Sequence, residues 1–120
     1  MKRVLVVDDD PYAATSLAEL LRMDGYDAVA LSNSRTAVER MARERFDAVV
    51  TDLEMPGVHG VEVVQAAHRG GDGVVVLVVT AYGDSPASKA ALDAGAARIF
   101  PKPLAYEALI EDLAKRLESA

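Results

Sequence analysis

The sequence of 120 residues contains no cysteine. That absence excludes a disulfide framework and any cysteine-ligated zinc site, and it fits a reducing compartment. Long apolar runs are missing as well. The longest, residues 74–79, falls far short of the roughly 20 residues a helix needs to cross a bilayer. Behind Met1, Lys2 and Arg3 stand only four apolar residues, too few for the core of a secretory signal. A cytoplasmic location with no membrane partner is therefore expected. Basic charge is in deficit, since 13 Lys and Arg face 19 Asp and Glu for a net charge of −6. Phosphate contacts need clustered Lys and Arg, so direct nucleic-acid binding by this domain is not expected. No repeat, low-complexity tract or linker divides the chain. Gly70-Gly71-Asp72-Gly73 is the loosest stretch and reads as a loop between elements.

What is present is a core. Hydrophobic residues make up 51% of the chain, ample for one domain spanning residues 1–120. Residues 4–7, 48–51 and 74–79 are short continuous apolar runs, as strands buried on both faces require. Residues 28–31 and 97–100 are weaker strand candidates. Between them the period becomes helical. Ala14, Leu17, Leu20 and Leu21 form one stripe, which Gly25 stops. Ala37, Val38 and Met41 form a second, and Val61, Val64 and Ala67 a third. Residues 87–94, ended by Gly95, form a fourth helix. Leu109, Ile110, Leu113 and Leu117 mark the last. Strand and helix thus alternate five times, which implies a parallel sheet covered by helices on both faces.

In such a sheet, ligands bind beyond the carboxyl ends of the strands, where the strand order reverses. The residues after each apolar run are then the informative ones. Asp8, Asp9 and Asp10 follow the first, Asp52 the third, Thr80 the fourth and Lys102 the fifth. Each has an ordinary reading when taken alone. Asp10 precedes Pro11, which is favoured at the first helical position, so Asp10 reads as a helix N-cap. Asp52 could begin a turn, Thr80 could simply end a strand, and Lys102 could be a solvated surface lysine. Together, however, they bring acids, a hydroxyl and an ammonium to one edge of the sheet.

Two carboxylates about 4 Å apart repel by roughly 4 kcal/mol at an effective dielectric near 20. Such groups persist by protonating, by pairing with a base or by binding a metal. The ligands on offer are oxygens only, which selects a hard divalent cation, Mg²⁺ ahead of Ca²⁺. Acids, Mg²⁺, a lysine and a hydroxyl form a set suited to phosphoryl groups. The cations offset charge on the phosphoryl oxygens, the hydroxyl donates to one of them, and a carboxylate can attack phosphorus to form an acyl phosphate.

At this point "VLVVDDDP", "VVTDLEMPGVHG", "VVTAYG" and "GAARIFPKPL" resemble, in order and spacing, the receiver domain of two-component response regulators, the CheY-like superfamily. The resemblance covers essentially the whole chain. It implies a flavodoxin-like (βα)5 fold with strand order 2-1-3-4-5. It also implies that Asp52 is the phosphoacceptor and Asp9 a direct metal ligand, with Asp8 acting largely through metal-bound water. The backbone carbonyl of Glu54 would complete the shell of Mg²⁺, or of Mn²⁺ in its place. Thr80 matches the switch hydroxyl, Ala81 the small residue whose backbone N–H meets a phosphoryl oxygen, and Lys102 the phosphoryl-pairing lysine. The Lys102–Pro103 bond is expected to be cis, the isomer that X-Pro bonds alone adopt at modest cost. The implied partner is a histidine kinase or phosphotransfer protein. The implied output surface is the fourth helix, fifth strand and fifth helix, and a homodimer through the fourth and fifth helices follows by analogy.

The sequence also departs from the family pattern. Ile99 stands where an aromatic usually accompanies the moving threonine. Phe100 is adjacent, but neighbouring strand residues face opposite sides. Pro101 lacks a backbone donor and suits an edge strand. Glu54 and Tyr82 lie where the family tunes the lifetime of the phosphoryl group. His59 and His68 read as surface residues. Two organisations fit the chain: a free-standing receiver, or the receiver portion of a larger regulator or hybrid kinase. Three alternatives carry different chemistry. A haloacid-dehalogenase-like Mg²⁺ phosphatase would use Asp8 and Asp10 as its D-x-D pair, but the acids after Lys102 follow a helical pattern instead of ending a strand. A degenerate receiver would only dock partners, and a flavodoxin-type binder would need a phosphate-cradling Gly loop after the first strand.

Overall fold

The computed structural model describes residues 1–55, 59–71 and 73–119. Residues 56–58 of the third-strand motif and Asp72 of the Gly-rich loop lie outside the described residues. Ten elements alternate: β1 (Arg3–Val7), α1 (Pro11–Met23), β2 (Asp27–Leu31), α2 (Ser34–Met41), β3 (Ala48–Asp52), α3 (Gly60–Arg69), β4 (Val75–Thr80), α4 (Pro86–Asp93), β5 (Arg98–Pro101) and α5 (Tyr106–Ser119). The strands form one parallel sheet in the order β2-β1-β3-β4-β5. The parallel sheet is what the alternation implies, and its order is the flavodoxin-like one that the family resemblance implies.

Period-two alternation sorts the strand side chains onto two faces. Val4, Val6, Ala48, Val50, Leu77 and Val79 pack with Ala14, Ala18 and Leu21 of α1 and with Leu109, Leu113 and Leu117 of α5. Leu5, Val7, Val49, Val76 and Val78 face the other way, against α2, α3 and α4. Helices on both faces bury the central strands, which is why their sequence reads as apolar runs, with buried polar side chains only toward their carboxyl ends at Thr51, Asp52 and Thr80. Each fully buried leucine, such as Leu5 or Leu77, contributes on the order of 2 kcal/mol by removal from water.

Details of the helices differ from the sequence reading. In α1 the buried face is Ala14, Ala18 and Leu21, whereas Leu20 is exposed. The spacing i, i+4, i+7 through a small alanine lets the helix sit close on the sheet, and Leu20 falls at its margin. In α3, Val63 is buried and Val61 only half-buried. The fourth helix begins at Pro86 behind the N-cap Ser85, repeating the Asp10-Pro11 start of α1. Gly25 follows the α1 C-cap with φ +93°, a conformation that favours glycine. The order of strands reverses between β1 and β3, so the helices after these neighbouring strands leave on opposite faces. The crevice at their carboxyl ends is the place this topology provides for a ligand.

Candidate functional site

The register pairs Val7 with Thr51, which sets the ends of β1 and β3 side by side. Asp8 and Asp52 therefore meet at the crevice. Asp10 is the α1 N-cap: its side chain accepts a hydrogen bond from the Tyr12 N–H at 3.0 Å. Its own N–H donates to Asp8 Oδ1 at 3.0 Å. The third aspartate of the run thus holds the helix and steers Asp8 through its backbone, while Asp8 and Asp9 face the crevice. One carboxylate oxygen from each of Asp8, Asp9 and Asp52 lies within 4.8 Å of the others. Asp9 is exposed, Asp8 half-buried and Asp52 only 4% exposed.

Each oxygen of Asp52 has partners. Oδ1 accepts from the Leu53 N–H at 2.7 Å and the Glu54 N–H at 3.3 Å. Oδ2 accepts from Lys102 Nζ at 2.9 Å. The same ammonium lies 3.9 Å from Asp8 Oδ2. Burial pushes the Asp8 carboxyl above its ordinary range; the Asp10 N–H opposes that, the Asp52 charge reinforces it, and by smaller amounts Lys102 lowers it and Asp9 raises it. Burial pulls Lys102 down, but its hydrogen bond to Asp52 and the charges of Asp52, Asp8 and Glu54 outweigh this and raise it. One ammonium thus faces three clustered carboxylates, a set that remains short of positive charge. Its donors are all oxygen, and the exposure of Asp9 leaves the cluster open to water. This chemistry fits Mg²⁺, which prefers few carboxylates and keeps several waters.

Thr80 ends β4 with no exposed surface. Its hydroxyl donates to Glu54 Oε2 at 2.5 Å, and the Ala81 N–H donates to Glu54 Oε1 at 3.3 Å. The Tyr82 N–H donates to Thr80 Oγ1 at 3.1 Å. The Lys102 N–H donates to the Thr80 carbonyl at 2.9 Å, so the threonine and the lysine are joined through the backbone. The following loop is pinned by Ser88, whose hydroxyl donates to the Tyr82 carbonyl at 2.8 Å. Sequence reading placed Glu54 here through its backbone carbonyl and missed the bridge its side chain makes. The signal was its length: it stands two residues past Asp52, whose register partner Val79 immediately precedes Thr80.

β5 is an edge strand, and Pro101 pairs there with Thr80. Ile99 is half-buried against the α2–α4 face, whereas Phe100 is buried on the α1–α5 face. The phenyl ring is thus on the opposite side of the sheet from the position beside the threonine. The Lys102–Pro103 bond is cis. Gly60 was not singled out by sequence, yet an added Cβ would lie 2.6 Å from both the Asp52 carbonyl oxygen and Leu53 Cα. Only glycine lets α3 begin this close to the end of β3. His59 is exposed, but His68 is half-buried, and its Nε2 lies 2.9 Å from the Gly95 carbonyl oxygen. Beside the acids, between α1 and the β5–α5 connection, lies a largely apolar cavity of about 430 Å³ that Leu17, Leu20, Leu104 and Tyr106 help to line.

Comparison with known proteins adds to this geometry. The family model for the response regulator receiver domain matches residues 4–114. Response regulator MprA of Mycolicibacterium vanbaalenii is 41% identical over 108 residues, which cover 90% of this chain and 47% of that protein. The chain therefore spans about half the length of the curated relatives it matches. Among solved structures, a CheY-like response regulator receiver domain protein from Methanospirillum hungatei superposes with a TM-score of 0.93 at 28% identity, over 99% of this chain and 95% of that one. Response regulator TrrA of Thermotoga maritima, solved in complex with Mg²⁺ and BeF, superposes with a TM-score of 0.81 at 30% identity, over 97% of this chain and 99% of that one.

Proposed function

This chain belongs to the response regulator receiver domain family of two-component signalling, and from that premise we propose that Asp52 is its phosphoacceptor. The observation that carries the reading is the environment of that carboxylate. Asp52 is buried, bonded to Lys102 through one oxygen and to two backbone N–H groups through the other, and it lies beside Asp8 and Asp9.

The phosphoryl donor is a phosphohistidine on a partner kinase or phosphotransfer protein. A carboxylate oxygen of Asp52 bonds to phosphorus while the nitrogen–phosphorus bond breaks and its electron pair returns to the imidazole. Asp8, Asp9, Asp52 and the Glu54 backbone carbonyl would hold Mg²⁺, or Mn²⁺ in its place. When bound, the ion supplies positive charge that offsets the charge on the phosphoryl oxygens. Lys102 leaves Asp52 Oδ2 for a phosphoryl oxygen, and the Thr80 hydroxyl and Ala81 N–H donate to others. Movement of Thr80 is transmitted to β5, because the Thr80 carbonyl accepts from the Lys102 N–H. A pre-existing equilibrium then shifts toward an active surface on α4, β5 and α5, which an output domain, an effector or a second copy would read. Ile99 puts an aliphatic side chain where the aromatic partner of the threonine would move, so the signal travels without a swinging ring. The reading places this chemistry in the cytoplasm, without direct nucleic-acid contact by the domain itself.

The phosphatase alternative fits less well. Its D-x-D pair would need Asp10 at the reacting centre, where Asp10 caps α1. Incubation with Mg²⁺ and acetyl phosphate tests the assignment. The wild-type chain is expected to gain the mass of one phosphoryl group and Asp52→Asn none; an unmodified wild type, or an equal gain in the variant, overturns it.

A further inference from the structure

We propose that the Glu54 side chain is a resident ligand of the phosphoryl pocket, holding the Thr80 hydroxyl and the Ala81 N–H until a phosphoryl group displaces it. The inference rests on the reading of Asp52 as phosphoacceptor and adds a competitor to it. The two donors that this reading assigns to phosphoryl oxygens are both already engaged, and by the two oxygens of one carboxylate. Glu54 Oε2 accepts from Thr80 Oγ1 at 2.5 Å, and Oε1 accepts from the Ala81 N–H at 3.3 Å. A carboxylate held in this way presents two anionic oxygens to two donors, as a phosphoryl group would.

Burial explains why the donors need an occupant. Thr80 has no exposed surface, so its hydroxyl proton requires an acceptor within the protein, and Glu54 supplies it. Glu54 itself is exposed and sits on the loop after β3. Once displaced, its carboxylate returns to water without becoming an unpaired buried charge. The exchange is therefore reversible, and it links the two strand ends on either side of the pocket. The loop after β3 is tied to the end of β4 while Glu54 is in place, and released when a phosphoryl group takes over its donors.

An occupied pocket binds more weakly than an open one by the fraction of time it stands open. Glu54 thus sets the level of phosphoryl donor at which the domain responds. Two variants separate occupation from simple charge. Glu54→Ala removes both. Glu54→Asp keeps the charge but is one methylene shorter, so the bridge is lost. Calorimetric titration with beryllofluoride at saturating Mg²⁺ reads the affinity, with Asp52→Asn as the control for the site. Both variants should bind about tenfold more tightly than wild type, the size expected for two competing hydrogen bonds. In the metal-free protein the Ala81 amide proton resonance should also move in both. If Glu54→Asp binds as wild type does while Glu54→Ala tightens, charge alone is responsible and the inference fails. It also fails if neither variant tightens. If wild type does not bind beryllofluoride, or Asp52→Asn binds it equally well, the phosphoacceptor assignment is overturned and the inference with it.

Discussion

The surroundings of Asp8 disfavour its charged form. Burial raises its carboxyl pKa above the ordinary 3.8, and the nearby Asp52 charge adds to this. Because the folded-state value is raised, protonation favours the fold. The contribution is full below the unfolded value and is lost as pH rises through the folded one. Asp8→Asn should therefore raise the melting temperature of the metal-free protein at pH 7. The advantage should shrink as pH falls toward 4. Thermal melts across this range check it, and a variant that melts below wild type at pH 7 contradicts it. A site arranged for a ligand commonly gives up stability in this way. At this scale the sequence was legible where chemistry and spacing coincide. Asp10 before Pro11 reads as a cap because both residues obey the same helix-start rule. The Glu54 bridge was not legible, because a side chain with three rotatable bonds can reach several partners and only the folded loop selects one.

At the scale of elements, α1 both supports the acids and is started by one of them. Its N-cap Asp10 accepts from the Tyr12 N–H, and its apolar face packs on β1. Asp10→Ala should cost about 1 kcal/mol in denaturant-induced unfolding through loss of the cap. It should leave Mg²⁺ affinity near the wild-type value, since the Asp10 group that touches Asp8 is a backbone N–H. A large loss of Mg²⁺ affinity would show that Asp10 is a ligand instead. The alternation of elements was legible from the change in period and from Gly25. The margins were not. Arg3 and Asp27 extend β1 and β2 because the two strands pair there, and pairing is a tertiary fact. Ala18 rather than Leu20 faces the sheet because closeness of packing, not hydrophobicity alone, chooses the helix face.

At the scale of the molecule, strand order converts four separate strand ends into one site. Asp8, Asp52, Thr80 and Lys102 are far apart in sequence and come together only because β1, β3, β4 and β5 are consecutive in the sheet. That these residues share one edge of the sheet followed from the parallel topology; the order that makes the four strands consecutive was implied by the family resemblance. Gly60 was hidden for the opposite reason. Its value lies in the closeness of α3 to the end of β3, a distance no local pattern encodes. Phe100 shows the limit from another side: one step along β5 carries the ring through the sheet, away from Thr80.

The phosphoacceptor role of Asp52 is tested most directly by locating the modified residue. Protein treated with Mg²⁺ and acetyl phosphate is reduced with borohydride, which converts an acyl phosphate to the corresponding alcohol, and its peptides are sequenced by tandem mass spectrometry. Homoserine at position 52 and at no other aspartate is the expected result. Homoserine at position 8, 9 or 10, or none in a protein that remains folded, would contradict it.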